Sequence, residues 1–189
     1  LNYSTLPDIL WRKQTNSPTK FLGSGMLPPG AYVTYEHEYI LIFRKGGKRE
    51  FKTENEKIIR RKSAYFWEER NLWFSDLWDI KGTSQTLNGN NSRKRSAAFP
   101  FELAYRLINM FSVKGDVILD PFVGTGTVNL AAMASERNSI GVEIDMSLCG
   151  DILEKLTSSG EALNNYIRNR IVSHLHFIEQ QKIEGKEKF

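Results

Sequence analysis

A single cysteine in 189 residues, Cys149, excludes an internal disulfide and any cysteine-rich metal centre, and suits a reducing cytoplasm. No apolar run approaches the roughly 20 residues that a bilayer-spanning helix needs, so no membrane partner is expected. Histidine is scarce too, three in all, and His174 and His176 stand two apart, pointing to different faces of a helix; no metal is expected. The opening residues lack the basic, apolar and small-residue succession of a signal peptide, and a start at Leu1 reads as part of a larger protein. Excess charge is small: 26 Lys and Arg against 22 Asp and Glu, net +4 with a pI near 9.1, which permits a polyanionic partner without demanding one.

The distribution of that charge says more. From Arg44 to Lys62 nine bases (Arg44, Lys45, Lys48, Arg49, Lys52, Lys57, Arg60, Arg61, Lys62) face three acids (Glu50, Glu54, Glu56), and Arg93-Lys94-Arg95 forms a second cluster. Aromatics are interleaved with the first cluster and beyond it, at Phe51, Tyr65, Phe66, Trp67, Trp73, Phe74 and Trp78. Aromatic rings stack on bases while cations meet phosphates, although any one of these rings taken alone reads more readily as core. Gln14 to Gly30 and Gly82 to Ser96 are polar loops.

Hydrophobic patterning predicts a strand over Asp8 to Trp11, and another, continuous and buried on both faces, over Tyr39 to Phe43. Phe101 to Phe111 reads as a helix with Leu103, Leu107, Ile108 and Phe111 on its apolar face. Val117 to Asp120 reads as a buried strand, Thr127 to Ser135 as a closely packed helix, and Ile140 to Asp145 as a strand ending in acids: one βαβ unit. From Asp151 onward the chain reads as helix, with a stripe of Leu163, Ile167, Ile171 and Leu175 for the core or a partner subunit.

Chemistry concentrates where the βαβ unit turns. Asp120 closes the first strand, and Gly124-Thr125-Gly126 follows, a turn with no Cβ to keep a ligand away. Glycines also serve plain turns, so the pair alone does not decide the matter. Glu143 stands 23 residues after Asp120, close to the spacing of about 20 at which an acid on the second strand meets ribose hydroxyls. A ligand carrying both a ribose and an amino-acid ammonium satisfies both acids. S-adenosylmethionine has both groups; a dinucleotide lacks the second.

Asp120-Pro121-Phe122-Val123-Gly124-Thr125-Gly126-Thr127 resembles the cofactor motif of DNA amino-methyltransferases that act on adenine N6 or cytosine N4. Other segments agree in order: Ile9-Leu10-Trp11-Arg12-Lys13; His37-Glu38-Tyr39-Ile40-Leu41 with Phe43 and Lys45; Phe99-Pro100 with Leu103 and Arg106-Leu107-Ile108; and Gly141-Val142-Glu143. The order, catalytic motifs first and cofactor motifs last with target recognition between, is that of the β class. The resemblance implies an α/β, Rossmann-like methyltransferase fold, with a mostly parallel sheet, helices on both faces and a less regular recognition insertion. It further implies that Phe99, Pro100, Asp120, Phe122, Gly124, Thr125 and Gly126 surround the methionine part of S-adenosylmethionine, with Glu143 on the ribose. Arg49, Lys52, Arg60, Arg61, Lys62, Arg93, Lys94 and Arg95 become the double-stranded DNA contacts. Residues 1–48 then belong to the catalytic subdomain, 49–96 to target recognition, and 97–189 to the cofactor subdomain with C-terminal helices.

One departure is decisive for the chemistry. The family's catalytic motif, an Asp, Asn or Ser followed by two prolines and an aromatic, occurs nowhere in the chain; Leu27-Pro28-Pro29-Gly30 lacks both flanking residues. No residue here is therefore assigned a catalytic role. The motif is expected on an upstream segment or a second subunit, and a homodimer is one arrangement open to such a protein. Two functions follow: the cofactor-binding and recognition part of a restriction-modification DNA methyltransferase, or a non-catalytic cofactor- and DNA-binding subunit that needs a catalytic partner. A nicotinamide oxidoreductase is disfavoured by the missing third glycine.

Overall fold

The computed structural model describes residues 2–14, 27–30, 36–82 and 99–186. The chain divides into two compact units, Leu1–Arg49 with Trp73–Pro100, and Glu50–Leu72 with Phe101–Phe189.

The described part of the first unit holds strands β1 (Tyr3–Thr5), β2 (Ile9–Gln14), β3 (His37–Ile40), β4 (Phe43–Lys45) and β5 (Leu77–Lys81). β2 lies between β3, antiparallel, and β5, parallel; β1 and β4 form a separate antiparallel pair. Alternation along Leu77-Trp78-Asp79-Ile80-Lys81 buries Trp78 and Ile80 and exposes the others. Trp11, the register partner of Trp78, is buried with Ile9. Both indole N–H groups donate to carbonyls, Trp11 to Ile80 at 2.8 Å and Trp78 to Trp73 at 3.1 Å, which makes their burial cheap. Trp73 is buried as well, so these three tryptophans are core rather than stacking platforms.

Tyr39 to Phe43 is not the single, doubly buried strand that its composition predicts. β3 ends at Ile40, β4 starts at Phe43, and Tyr39, Leu41 and Phe43 are exposed. Two partners divide the run: Tyr39 and Ile40 pair with β2, whereas Ile42 accepts from Leu6 N–H at 2.9 Å and Phe43 pairs with β1.

In the second unit, α1 (Glu54–Lys62) begins with a capping box: Thr53 Oγ1 accepts from Glu56 N–H at 3.2 Å, and the Glu56 carboxylate accepts from Thr53 N–H at 2.8 Å. α2 (Trp67–Trp73) crosses the boundary between the units. α3 (Phe101–Phe111) has the expected bounds but a broader inward face, which includes Tyr105, Arg106 and Asn109, while Phe111 is exposed. Polar partners make that face tolerable: Arg106 Nε donates to Glu102 at 2.7 Å, and Asn109 Nδ2 donates to Ser135 Oγ at 3.0 Å.

β6 (Val117–Asp120), α4 (Thr127–Ala134) and β7 (Asn138–Gly141) form the βαβ unit, the strands parallel with Asp120 opposite Gly141. α4 packs against both strands and against α3, with Ala131 and Ala132 wholly buried and small enough for close approach. Its C-terminal end is tied to α3 by the buried Arg137, whose guanidinium donates to Asn109 Oδ1 at 3.3 Å, Ser112 Oγ at 3.1 Å and Ser112 O at 2.9 Å, and to the Ser135 carbonyl. The expectation that β6 is a buried strand is corrected. Val117 and Leu119 are 59% and 63% exposed, and Ile140 and Val142 on β7 and just beyond it are 55% and 52% exposed. Among the described residues α4 is the helix that packs on both strands, whereas parallel pairs are normally covered on both faces. β7 also stops short of the predicted Asp145: β6 ends at Asp120, so after the last ladder bond, Val142 N–H to Asp120 O at 2.9 Å, the Val142 carbonyl accepts instead from Val123 N–H in the turn at 3.0 Å.

α5 (Ser147–Ser158) starts earlier than the expected Asp151; just ahead of its N-cap Met146, Asp145 Oδ1 accepts from Ser147 N–H at 3.1 Å and from its hydroxyl at 2.5 Å. α6 (Gly160–Ile183) follows; Leu163 and Ile167 of its stripe are half-buried, Ile171 and Leu175 exposed. An ion pair and a hydrogen bond anchor it within the unit: Arg170 pairs with Glu69, with a second contact at 2.8 Å, and His174 Nδ1 lies 2.8 Å from the Glu68 carboxylate. His174 also stacks on Phe66 at 3.7 Å between ring centroids. Among the described residues no His, Cys, Asp and Glu group could hold a metal, and no helix is long and apolar enough to cross a membrane.

Candidate functional site

The turn after β6 is built around two glycines with left-handed backbone, Gly124 at φ +55° and Gly126 at φ +76°. L side chains rarely adopt such angles, which is why the sequence has glycine at both. A Cβ on Gly124 would meet only the Phe122 carbonyl, 3.8 Å away, so the backbone faces open space there. At Gly126 a Cβ would lie 3.3 Å from Ile152 Cγ2 on α5.

A third glycine matters for another reason. A Cβ on Gly141 would stand 2.6 Å from Val123 Cγ2 and 3.1 Å from Asn129 Oδ1, both in buried side chains. Only a bare Cα lets the turn fold back across the end of β7. Gly141→Ala is accordingly expected to cost about 1–3 kcal/mol, as overpacked cores do, read as a lower denaturation midpoint with an unchanged slope.

Both carboxylates stand at the carboxyl ends of the two parallel strands. Asp120 Oδ1 accepts from Phe122 N–H at 3.0 Å. Glu143 uses one oxygen for Gly124 N–H and the other for Asp145 N–H, each at 3.0 Å. A carboxylate has about four lone-pair sites, so these bonds fix its orientation and remain compatible with accepting from a vicinal diol. Lys155 on α5 donates from Nζ to the Thr125 carbonyl at 2.9 Å. Partial burial of that ammonium lowers its pKa from the ordinary lysine value.

The structure thus brings Asp120, Phe122, Gly124, Thr125, Gly126 and Glu143 together in the second unit, with Phe122 88% exposed beside the turn. Phe99, half-buried, and Pro100, buried, belong to the first unit. Lys155, Asp145, Ile152 and Gly141 were not among the residues expected to shape this turn. Gly141 adjoins the Val142-Glu143 pair, but nothing in the local pattern marks Lys155, 30 residues from Thr125.

For nucleic acid, α1 presents Arg60, Arg61 and Lys62 in its last turn, all exposed, and Arg60 lies over the Phe51 ring at 5.0 Å. Those three also complement the helix dipole. Lys52 pairs with Glu50 at 3.0 Å, and Arg49 is exposed. Arg93, Lys94 and Arg95 lie outside the described residues.

Comparison with known proteins settles the lineage. A family model described as DNA methylase, the N6/N4 type, matches residues 2–154. The chain belongs to the N6/N4 DNA methylase family. Its sequence is 59% identical over 180 residues to the type II methyltransferase M.MthZI of Methanothermobacter thermautotrophicus, covering 95% of this chain and 51% of that protein. It is 54% identical over 156 residues to the type II methyltransferase M.MjaI of Methanocaldococcus jannaschii, covering 82% and 50%. The chain therefore spans about half the length of these relatives. Among solved structures, a protein of Thermus thermophilus assigned as a DNA modification methylase and crystallised with S-adenosyl-L-methionine superimposes with a TM-score of 0.63 at 36% identity, covering 82% of this chain and 54% of that one. The α/β architecture of this N6/N4 methylase-family chain is the Rossmann-like methyltransferase fold.

Proposed function

We propose that this chain is the S-adenosylmethionine-binding and DNA-recognition part of a site-specific DNA methyltransferase that modifies an exocyclic amino group, adenine N6 or cytosine N4, within a restriction-modification system. The observation that carries the reading is the pair of carboxylates, Asp120 and Glu143, at the ends of adjoining parallel strands around the open Gly124 turn. The site fits that cofactor by donor chemistry. Asp120 offers a negative charge to the amino-acid ammonium, Glu143 accepts from the ribose hydroxyls, and exposed Phe122 offers an apolar face beside the turn. On family resemblance alone, Phe99 and Pro100 are assigned to the methionine end. When bound, the cofactor supplies a sulfonium methyl.

An amino group conjugated to a base ring needs its two hydrogens accepted by a polar side chain and a carbonyl, which localises its lone pair for in-line attack once the base is flipped. The polar-Pro-Pro-aromatic motif that does this is absent from these 189 residues. The proposal places it on another segment of the same protein or on a second subunit. The uncovered apolar face of Val117, Leu119, Ile140 and Val142 supports further protein packing beside the site. The division into 1–48 catalytic scaffold, 49–96 target recognition and 97–189 cofactor subdomain is part of the same proposal, as is a cytoplasmic location.

Equilibrium dialysis with methyl-labelled S-adenosylmethionine tests the reading: retention competed by S-adenosylhomocysteine and not by NADH is expected, and NADH competition overturns it. For DNA, replacing Arg60, Arg61 and Lys62 together by Ala is expected to weaken duplex binding and flatten the dependence of log affinity on log salt by roughly 2–3, because each phosphate contact contributes about 0.9. An unchanged slope removes α1 from the DNA surface.

A further inference from the structure

We propose that Lys155 is a positioning residue of the cofactor site, holding the glycine turn through the Thr125 carbonyl. The inference deepens the function proposed above and rests on it. Lys155 Nζ reaches Thr125 O at 2.9 Å. Ile152, three residues earlier and so on the same side of α5, places Cγ2 where a Cβ on Gly126 would meet it at 3.3 Å. One helix thus holds Thr125 by a charged donor and sets a methyl group where a side chain on Gly126 would stand.

The consequence lies in the peptide planes. Across a trans peptide, C=O and N–H point opposite ways, so fixing one end of the Thr125–Gly126 unit orients the other. Lys155 holds the carbonyl of that unit, and Val123 O accepts its N–H from Gly126 at 2.9 Å. The N–H of Gly124, earlier in the turn, is held by Glu143. Glu143 also holds Asp145 N–H, and the Asp145 carboxylate accepts from the N–H and hydroxyl of Ser147, the first residue of α5, the helix that carries Lys155. A closed circuit therefore runs from the turn through Glu143, Asp145 and α5 back to the turn. Lys155 is its closing link, and it sets the turn before any ligand arrives, which lowers the ordering cost of binding.

The test uses Lys155→Met and Lys155→Arg, measuring S-adenosylmethionine affinity by calorimetry and hydrogen exchange of the Gly126 amide by NMR in ligand-free protein. Lys155→Met is expected to weaken binding about tenfold, as loss of a charged hydrogen bond does, and to speed Gly126 exchange comparably. Lys155→Arg, which restores a cationic donor, is expected to recover most of both. Unchanged exchange or affinity in Lys155→Met overturns the proposal, as does an Arg variant no better than Met. If the unaltered protein binds no S-adenosylmethionine, the functional reading fails, while the exchange measurement still decides whether Lys155 holds the turn.

Discussion

A preparation of residues 1–189 alone, mixed with duplex DNA and methyl-labelled S-adenosylmethionine, is expected to leave no label on the DNA, and co-expression with a polypeptide carrying the polar-Pro-Pro-aromatic motif is expected to restore transfer. The size of the effect follows from the reaction. The amino nitrogen of adenine or cytosine shares its lone pair with the ring, so attack on a sulfonium methyl requires both localisation of that pair and alignment of the two reactants. Alignment alone is worth up to roughly 7–11 kcal/mol in well-oriented intramolecular systems. The chain offers Asp120, Glu143 and the glycine turn, to which the proposed function assigns the donor, and no Pro-Pro-aromatic element to hold an acceptor. Transfer by residues 1–189 at a normal rate would show that the acceptor is activated by residues within this chain.

The second large effect concerns the donor. Asp120→Ala and Glu143→Ala are each expected to lower S-adenosylmethionine affinity by about one to two orders of magnitude, since a hydrogen bond to a charged group is worth about 1.5–3 kcal/mol. The two variants should differ in kind. Asp120→Ala removes a charge and one acceptor, for Phe122 N–H, whereas Glu143→Ala also frees Gly124 N–H and Asp145 N–H and so loosens the turn and the start of α5. Asp120→Asn keeps the acceptor and loses the charge, so it isolates the ammonium contact; a loss of about tenfold is expected there. Calorimetry reads these affinities, and thermal melting separates the local loosening of Glu143→Ala from unfolding. Binding undiminished in both alanine variants sinks the assignment of the site.

Much of this site was legible because its causes are local. A carboxylate after an apolar run, glycines whose positive φ angles only they adopt readily, and a second acid at the right distance are properties of short stretches. The bounds of α3 and the parallel pairing of β6 with β7 follow from the same local patterning. What was missed depends on partners far along the chain. Tyr39 to Phe43 looks like one strand until β1 and β2 divide it, and the uncovered side of β6 cannot be seen in its own apolar residues. Trp73 and Trp78, set among cations, are core because β5 alternates and their surroundings supply a carbonyl for the indole of Trp78. Lys155 becomes a neighbour of Thr125 only after α5 has packed on the turn.

The central claim is that the Asp120 to Glu143 site receives S-adenosylmethionine, and calorimetric titration of that compound into the unaltered protein tests it most directly. One molecule bound per chain, displaced by S-adenosylhomocysteine and indifferent to NADH, is the predicted result. No heat of binding with S-adenosylmethionine at protein concentrations where NADH saturates the chain would contradict it.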